Sequence, residues 1–476
     1  MTTPTPNSVA PSPSTSGRRS TWARRAGTGA RVLAGAVVAV AVVGLSVAAV
    51  HVPWPGVTAS PVSQTVTPTS GAATLVCPGG PLIGSRDGQN ASAIALAADP
   101  ATVAGGDPDP TTSTIASTPD SVGEGSVLRA ESTQPGTPAD AAAAQASTAS
   151  ADDIVGFSAA ACTAPAFESW LVGGATTLGE SAFLVIANPG DVVATIDVTV
   201  FGGGDPVTAP AGTDVAVRAQ SRVVIPLASL APSEPAPVVR VTATGTGVVT
   251  ALAVAVTQTL QPVGSDVVSP AAAPAPTNVI PGVVVPAAVG SGFGPATVRL
   301  VAPDAATTAT VTAVPVGGGA AAQTVTVDLA AGQSAETTLT GLDAGAYNIW
   351  VTAAVPVVAG VLTATDGARD LAWVGAAPTL TSDTLVAVPA DGATLTVANA
   401  ASGAGSASPA SVALTPLAGG AMVTTQNGTA TLAAGVWRLR VETPVSAAIS
   451  YSGDGKLAAY PVPAGARQAV PVTVVP

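Results

Sequence analysis

Histidine and lysine each occur once in the 476-residue chain, as His51 and Lys456, and cysteine twice, as Cys77 and Cys162. Aromatic residues make up 3% of the chain and charged residues 9%. These shortages exclude much chemistry. A serine or cysteine hydrolase needs a general base, most often histidine, and His51 sits at the end of an apolar run. A zinc site built from cysteine and histidine lacks ligands. Lys456 falls in Ser452-Gly453-Asp454-Gly455-Lys456, a hairpin turn by composition, where a desolvated catalytic lysine is not expected. The carboxylates Asp152, Asp153, Glu168 and Glu180 show no surrounding aromatic cleft and read as solvated charges rather than a glycosidase pair. Asp107-Pro108-Asp109-Pro110 and Asp391-Gly392 lack the alternating oxygen ligands of a calcium loop. The glycines at 202–204 and 317–319 precede no lysine-bearing helix, so no phosphate loop is present. Asn427-Gly428-Thr429 matches a glycosylation sequon, but an Asn-Gly hairpin turn accounts for it. The sequence therefore offers no catalytic set, no cofactor site and no metal site, and the chain reads as non-enzymatic.

Charge is short and unevenly placed. Five of the 16 basic residues, Arg18, Arg19, Arg24, Arg25 and Arg31, precede the apolar run, and no acidic residue occurs before Asp87. The remainder holds eleven basic residues against 28 acidic ones, a net of −17. An acidic surface repels phosphate backbones, which excludes nucleic acid as a ligand.

What is present begins with a membrane signal. Residues 1–31, rich in Ser, Thr, Pro and Arg, read as a disordered cytoplasmic tail. Residues 32–50 form an uncharged apolar run whose helix would span about 28 Å, enough to cross a hydrocarbon core. The arginines on its N-terminal flank place that end inside, which makes the membrane a partner and puts the bulk of the chain outside the cytoplasm. Trp54 stands where an interfacial aromatic would. Val57-Thr58-Ala59 admits a cleaved signal peptide instead; the apolar run exceeds a usual signal core, which favours an uncleaved anchor. The twin arginines lack the apolar pair of a twin-arginine export signal. Residues 52–71 read as a Pro/Thr/Ser stalk. Two cysteines on the extracytoplasmic side are expected to pair, Cys77 with Cys162, closing a long loop nominally worth about 4–5 kcal/mol.

Beyond the stalk the chain reads as β. Phe183 to Ile186 is an apolar run ended by Asn188-Pro189-Gly190, where Asn bonds back to its own backbone, Pro presets φ and Gly accepts positive φ. Ile196, Val198 and Val200 then alternate with Thr195, Asp197 and Thr199, one apolar face and one wet face. The pair predicts a hairpin. Residues 84–153 are weak in pattern and read as a long insertion of loop or disorder, with strands at Ala93 to Leu96 and near Ser126 to Leu128.

A landmark pair recurs. LVIANPG starts at Leu184, VRLVAPD at Val298 and LTVANAA at Leu395, spaced by 114 and 97 residues. VVRV at Val238, NIWV at Asn348 and RLRV at Arg438 follow at spacings of 110 and 90. This predicts tandem immunoglobulin-like β-sandwich modules, over 72–268, 279–374 and 383–476, joined by linkers at 269–276 and 375–382. Unrelated sandwiches that share only their general character are the alternative. Trp170 and Trp437 read as core. Trp350 falls on the polar phase of its strand, opposite Tyr347, Ile349 and Val351, and Trp373 follows an Asp366-Gly367 turn. An outward Trp would stack a sugar ring or meet a partner; packing between modules is the plainer account.

The series Cys162, Trp170, Gly173-Gly174, Leu184, Ala187-Asn188-Pro189 and the following alternating strand, with Leu75-Val76-Cys77-Pro78-Gly79 before it, resembles DUF5719, an uncharacterised family of actinobacterial membrane-anchored extracytoplasmic proteins. The resemblance extends over 72–476 and implies location and architecture, with no activity to carry over. The expectation is a non-catalytic envelope scaffold or interaction protein that assists a membrane enzyme of cell-wall or surface-glycan assembly. A module binding envelope polysaccharide through exposed aromatics is the alternative.

Overall fold

The computed structural model describes residues 22–51, 64–66, 72–85, 93–132, 139–366, 369–400, 409–453, 456–465 and 472–474. Of the tail expected to be disordered, residues 1–21 lie outside these residues, as does most of the stalk, whereas residues 22–31 are helical. The chain divides into two compact units, one holding residues 1–66 and 473–476, the other residues 67–472.

The first unit carries the helix Trp22–His51, whose window Arg31–Ala48 is long and apolar enough to cross a membrane. Its large side chains are exposed, Val40 at 72%, as a lipid-facing surface requires; a signal sequence has the same character.

The second unit is built almost wholly of strands, and one strand order occurs three times. The eight strands from Glu168–Val172 through Gln261–Val268 make two sheets, ordered first–sixth–third–fourth and fifth–second–seventh–eighth. Residues 275–375 repeat that order, with the single long strand Gly345–Thr365 supplying both sixth and seventh positions by passing from one sheet to the other. Residues 384–461 repeat it again. The recurring sequence landmarks fall on equivalent strands: LVIA, VRLV and LTVA on each second strand, VVRV, NIWV and RLRV on each sixth. In each case the apolar faces of two sheets close over one core, around Leu184, Ile196 and Leu252 in the first, Leu300, Val311 and Ile349 in the second, and Leu395, Leu439 and Ile449 in the third. Trp170 and Trp437 are buried in these cores, as expected.

Asn188 performs the turn chemistry read from the sequence. Its Oδ1 accepts from Gly190 N at 2.9 Å, and its Nδ2 donates to Val192 O and Val217 O. The flanking strands Glu180–Asn188 and Ala194–Phe201 are not a hairpin, however. They pair in opposite sheets, because each has one apolar face and both faces are satisfied by meeting across the core. The tight Asn427-Gly428 turn does form, with both residues at positive φ and Gln426 and Thr429 exchanging backbone bonds, but it joins no hairpin: Val423–Thr424 before it and Thr429–Leu432 after it pair in opposite sheets.

The weakly patterned region is ordered where described. Thr111–Thr118 pairs in parallel with Ser221–Pro226 and, with Gly125–Ala130 and Ala73–Val76, extends the first sandwich's sheet to seven strands. DAAAAQASTAS, read as loop, lies in strand Asp140–Ala151, and GGDPDPTTST lies in strands Ala101–Asp107 and Thr111–Thr118 except for the connection Pro108-Asp109-Pro110. Ala101–Asp107, Asp140–Ala151 and Ile154–Ala161 form a three-stranded sheet packed on the third sandwich through Ala142, Ala144, Ala146 and Phe157. Alanine gives little strand signal, yet its short side chain suits a closely apposed sheet face. The Cys77–Cys162 disulfide is formed and joins the extended sheet to this small one.

The expected linkers are pinned. Ala271 N bonds Trp170 O, Ala272 N bonds Ala376 O, and Ala377 N bonds Val279 O. The final strands of the three sandwiches, Gln261–Val268, Asp370–Gly375 and Lys456–Pro461, converge with Ile154–Ala161. Glycine permits this approach: a Cβ on Gly264 would lie 2.7 Å from Leu371 N. Gly264→Ala is therefore expected to cost about 1–3 kcal/mol in urea unfolding of the full chain. Gly203→Ala, with nothing within 4 Å of its Cβ, should stay within about 0.5 kcal/mol. Equal effects would contradict the packing described.

Candidate functional site

The two tryptophans proposed as ligand contacts are both buried. The phase reading of Trp350 is correct, since Tyr347, Ile349 and Val351 face the core of the second sandwich. Its opposite face is nonetheless covered: Trp350, 2% exposed, packs with Val279, Val314 and Ala398, the last from the third sandwich. Its Nε1 has no hydrogen-bond partner among the described residues. Trp373 is 3% exposed and lies under Arg299, whose guanidinium carbon is 4.4 Å from the ring centroid. Neither ring offers a stacking surface to solvent.

Arg299 is the centre of the junction between the first two sandwiches. Its strand, Thr297–Val301, belongs to the second, and its head reaches the first. Nη1 donates to Gly174 O at 2.7 Å and Pro237 O at 2.9 Å, Nη2 to Pro235 O at 3.2 Å, and Nε to Glu336 Oε1 at 2.8 Å. Burial lowers its pKa, and Glu336 opposes that shift. A cavity of about 280 Å³ opens beside it, lined by Glu180, Phe293, Glu336 and Trp373 among others. Almost every donor of the guanidinium is already engaged, so its planar fork acts here as a joint.

Arg222 plays the same part between the first sandwich and the N-terminal strands. It donates to Ser117 Oγ at 2.9 Å, Pro78 O at 3.3 Å, Val122 O at 2.9 Å and Gly123 O at 2.8 Å. Every one of these acceptors is neutral, and burial pushes its pKa down to about 10.

Two buried carboxylates occupy the convergence of final strands. Asp266 Oδ2 accepts from Trp373 N at 2.8 Å and Oδ1 from Val267 N at 2.8 Å. Asp370 Oδ2 accepts from Phe157 N and Leu457 N, both at 2.9 Å, and Oδ1 from Leu371 N. Desolvation raises Asp266 to about 8 against those backbone donors, and it raises Asp370 well above the ordinary carboxylate range. Lys456 stands beside this seam with Nζ 5.1 Å from the Phe157 ring centroid. The carboxylates close the open edges of neighbouring sheets, each accepting an amide that no strand pairs.

Of the other carboxylates considered from sequence, Glu168 accepts from Trp170 Nε1 and Arg240, and Glu180 faces the Arg299 cavity. Asp391 accepts from Ala434 N as a turn brace. Among the described residues no group of three His, Cys, Asp or Glu is placed to hold a metal ion. Sequence reasoning missed Asp266, Asp370, Arg222 and Arg299. Asp266, Arg222 and Arg299 are each a lone charge in an apolar strand, as in VGSDVV, SRVVIP and TVRLV, and that contrast is the available signal; Asp370 opens the apolar strand DLAWVG next to Arg369 and stands out less.

The second cavity is larger, about 700 Å³, between residues 72–75, 141–143, 384–387 and 462–465. Nearly half of its described lining residues are alanine, and none carries a charged side chain.

A model of a family described as being of unknown function, DUF5719, matches residues 116–437. No curated protein and no solved structure matches the chain.

Asp266 keeps its proton in the folded protein to about pH 8, whereas the unfolded chain releases it near 3.8. The folded state thus binds the extra proton between those values. Stability from this group is greatest below pH 4, falls as pH rises to about 8 and is level above. Its full extent is on the order of 5 kcal/mol. Asp266→Asn should lack this slope, so the difference between parent and variant unfolding midpoints should change across pH 4–8; parallel profiles would contradict it. Arg222→Met, which strands four acceptors, should cost on the order of 3 kcal/mol in the same assay.

Proposed function

The chain belongs to the DUF5719 family, and from that premise we propose that it is a non-catalytic, membrane-anchored extracytoplasmic scaffold of the cell envelope. In this reading the helix Trp22–His51 is an uncleaved anchor with its arginine-flanked end in the cytoplasm. The three repeated strand orders are copies of one immunoglobulin-like module, sharing its crossed second–fifth and third–sixth strand pairs. The body holds and positions another envelope component, such as a membrane enzyme of wall or surface-glycan assembly.

One observation carries the reading. The ionisable groups buried in the body, Asp266, Asp370, Arg222 and Arg299, all bond backbone across junctions between its parts. A chain that places its scarce ionisable side chains this way makes one stiff body, which is what a platform needs. The polysaccharide alternative required Trp350 and Trp373 at the surface, and their burial leaves it without a supporting observation.

Protease added to intact protoplasts should remove the body while a tag at residue 1 stays protected. Protection of the body, or its release into the medium without added protease, would count against the anchor. Crosslinking in live cells should recover an envelope protein. If the chain instead came down on purified wall glycan alone, the scaffold reading would give way to the glycan-binding one.

A further inference from the structure

The 700 Å³ cavity is flanked by two strands that are each outermost in their sheets. Among the described strands Ala73–Val76 pairs with Gly125–Ala130 alone, and Thr384–Val388 with Gly435–Arg440 alone. The register shows which backbone groups look outward, because alternate residues of an antiparallel strand point to opposite sides. Cys77 N donates to Ser126 O, so Leu75 and Ala73 face the paired side and Thr74 faces away from it. Val76, on that same outer side, exchanges two bonds with Thr163, after which the edge opens into the cavity. On the other wall, Val436 O accepts from Leu417 N on its far side, so Trp437 and Leu439 turn toward Val386 and Thr384. The backbone groups of Leu385 and Ala387 therefore point away from their sheet. Ala387 O is taken by the Tyr460 hydroxyl at 2.7 Å. The Leu385 amide and carbonyl, the Ala387 amide and the Thr74 amide and carbonyl have no partner among the described residues.

We propose that this cavity accepts an extended peptide segment of a partner protein as an added β-strand on the Thr384–Ala387 edge. The proposal rests on the scaffold reading for its choice of a protein partner; the edge geometry does not depend on it. An acyl chain would suit the alanine walls but leave the edge amides and carbonyls unpaired in an apolar site, which is costly. A strand satisfies both walls and edge. The side chains of the segment must be small and uncharged, since Ala141, Ala142 and Ala143 leave little depth and no described lining residue carries a countercharge. The edge residues Thr384 to Ala387 line the cavity rather than an open surface, a setting that suits a single extended segment better than a folded sheet from a second copy. About four residues at ~3.3 Å each match the length of the edge, and the volume lies within the usual range of ligand sites.

The test uses the full chain in lipid nanodiscs and a fluorescein-labelled peptide of alternating valine, threonine and alanine, followed by anisotropy. Saturable binding is expected, weakened about ten-fold or more when alternate peptide nitrogens are methylated. Ala387→Pro, which removes one outward amide, should weaken it similarly. So should Ala164→Trp, whose exposed position at the cavity wall makes misfolding an unsuitable explanation. Gly203→Ala should bind as the parent does. Absent saturable binding, equal binding of the methylated peptide, or full displacement by dodecanoate with no effect of Ala387→Pro would overturn the proposal. None of these outcomes bears on the protoplast result, so this inference can fail while the anchor and scaffold reading stands.

Discussion

Backbone amides at the open edges of β-sheets must find acceptors, and in this protein buried carboxylates supply them where strands from different sandwiches meet. A strand ending a sheet presents a row of unpaired N–H and C=O groups. Here three such strands and Ile154–Ala161 converge while belonging to separate sheets, with no ladder shared between them. Asp370 spans the gap with one oxygen for Phe157 and Leu457 and the other for its own neighbour Leu371. Asp266 does the same for Trp373. Desolvation opposes the arrangement, and the high pKa of both groups measures that opposition. Backbone donors offset part of it.

Arg222 and Arg299 answer the complementary need. Turn segments such as Val122-Gly123 and Pro235 to Pro237 present carbonyls with no strand beside them, and a guanidinium satisfies several at once. Only 9% of the chain is charged, and part of that charge joins sandwiches from within. The glycines that thin the seams and the backbone bonds that pin both linkers act in the same direction. Sheets with small alanine and valine cores give limited burial each, so these junctions set whether the body behaves as one piece.

Much of this was legible in the residues. The all-strand body, the disulfide, the Asn188 turn and the spacing of the repeats follow from local chemistry, and the landmarks fall on equivalent strands. The hairpin expected at 183–200 failed because alternation marks an apolar face without saying whether the next strand lies beside it or across the core. The strand Asp140–Ala151 was invisible because alanine carries weak preference of either kind. Trp350 was assigned to the correct face, but the cover on that face comes from strand Ala393–Asn399 of another sandwich, which no local pattern reports. The buried charges escaped notice for the same reason: their partners lie far away in sequence, 213 residues for Asp370 and Phe157.

Amide hydrogen exchange under native conditions tests the account most directly, comparing the parent with Asp370→Asn. In the parent, the Phe157, Leu457 and Trp373 amides should exchange only through opening of the whole body, as slowly as core amides such as Leu252. In Asp370→Asn, Phe157 and Leu457 should exchange faster while the cores of the separate sandwiches stay protected. Rapid exchange at these amides in the parent, or no change in the variant, would show that the carboxylates do not hold the sandwiches together.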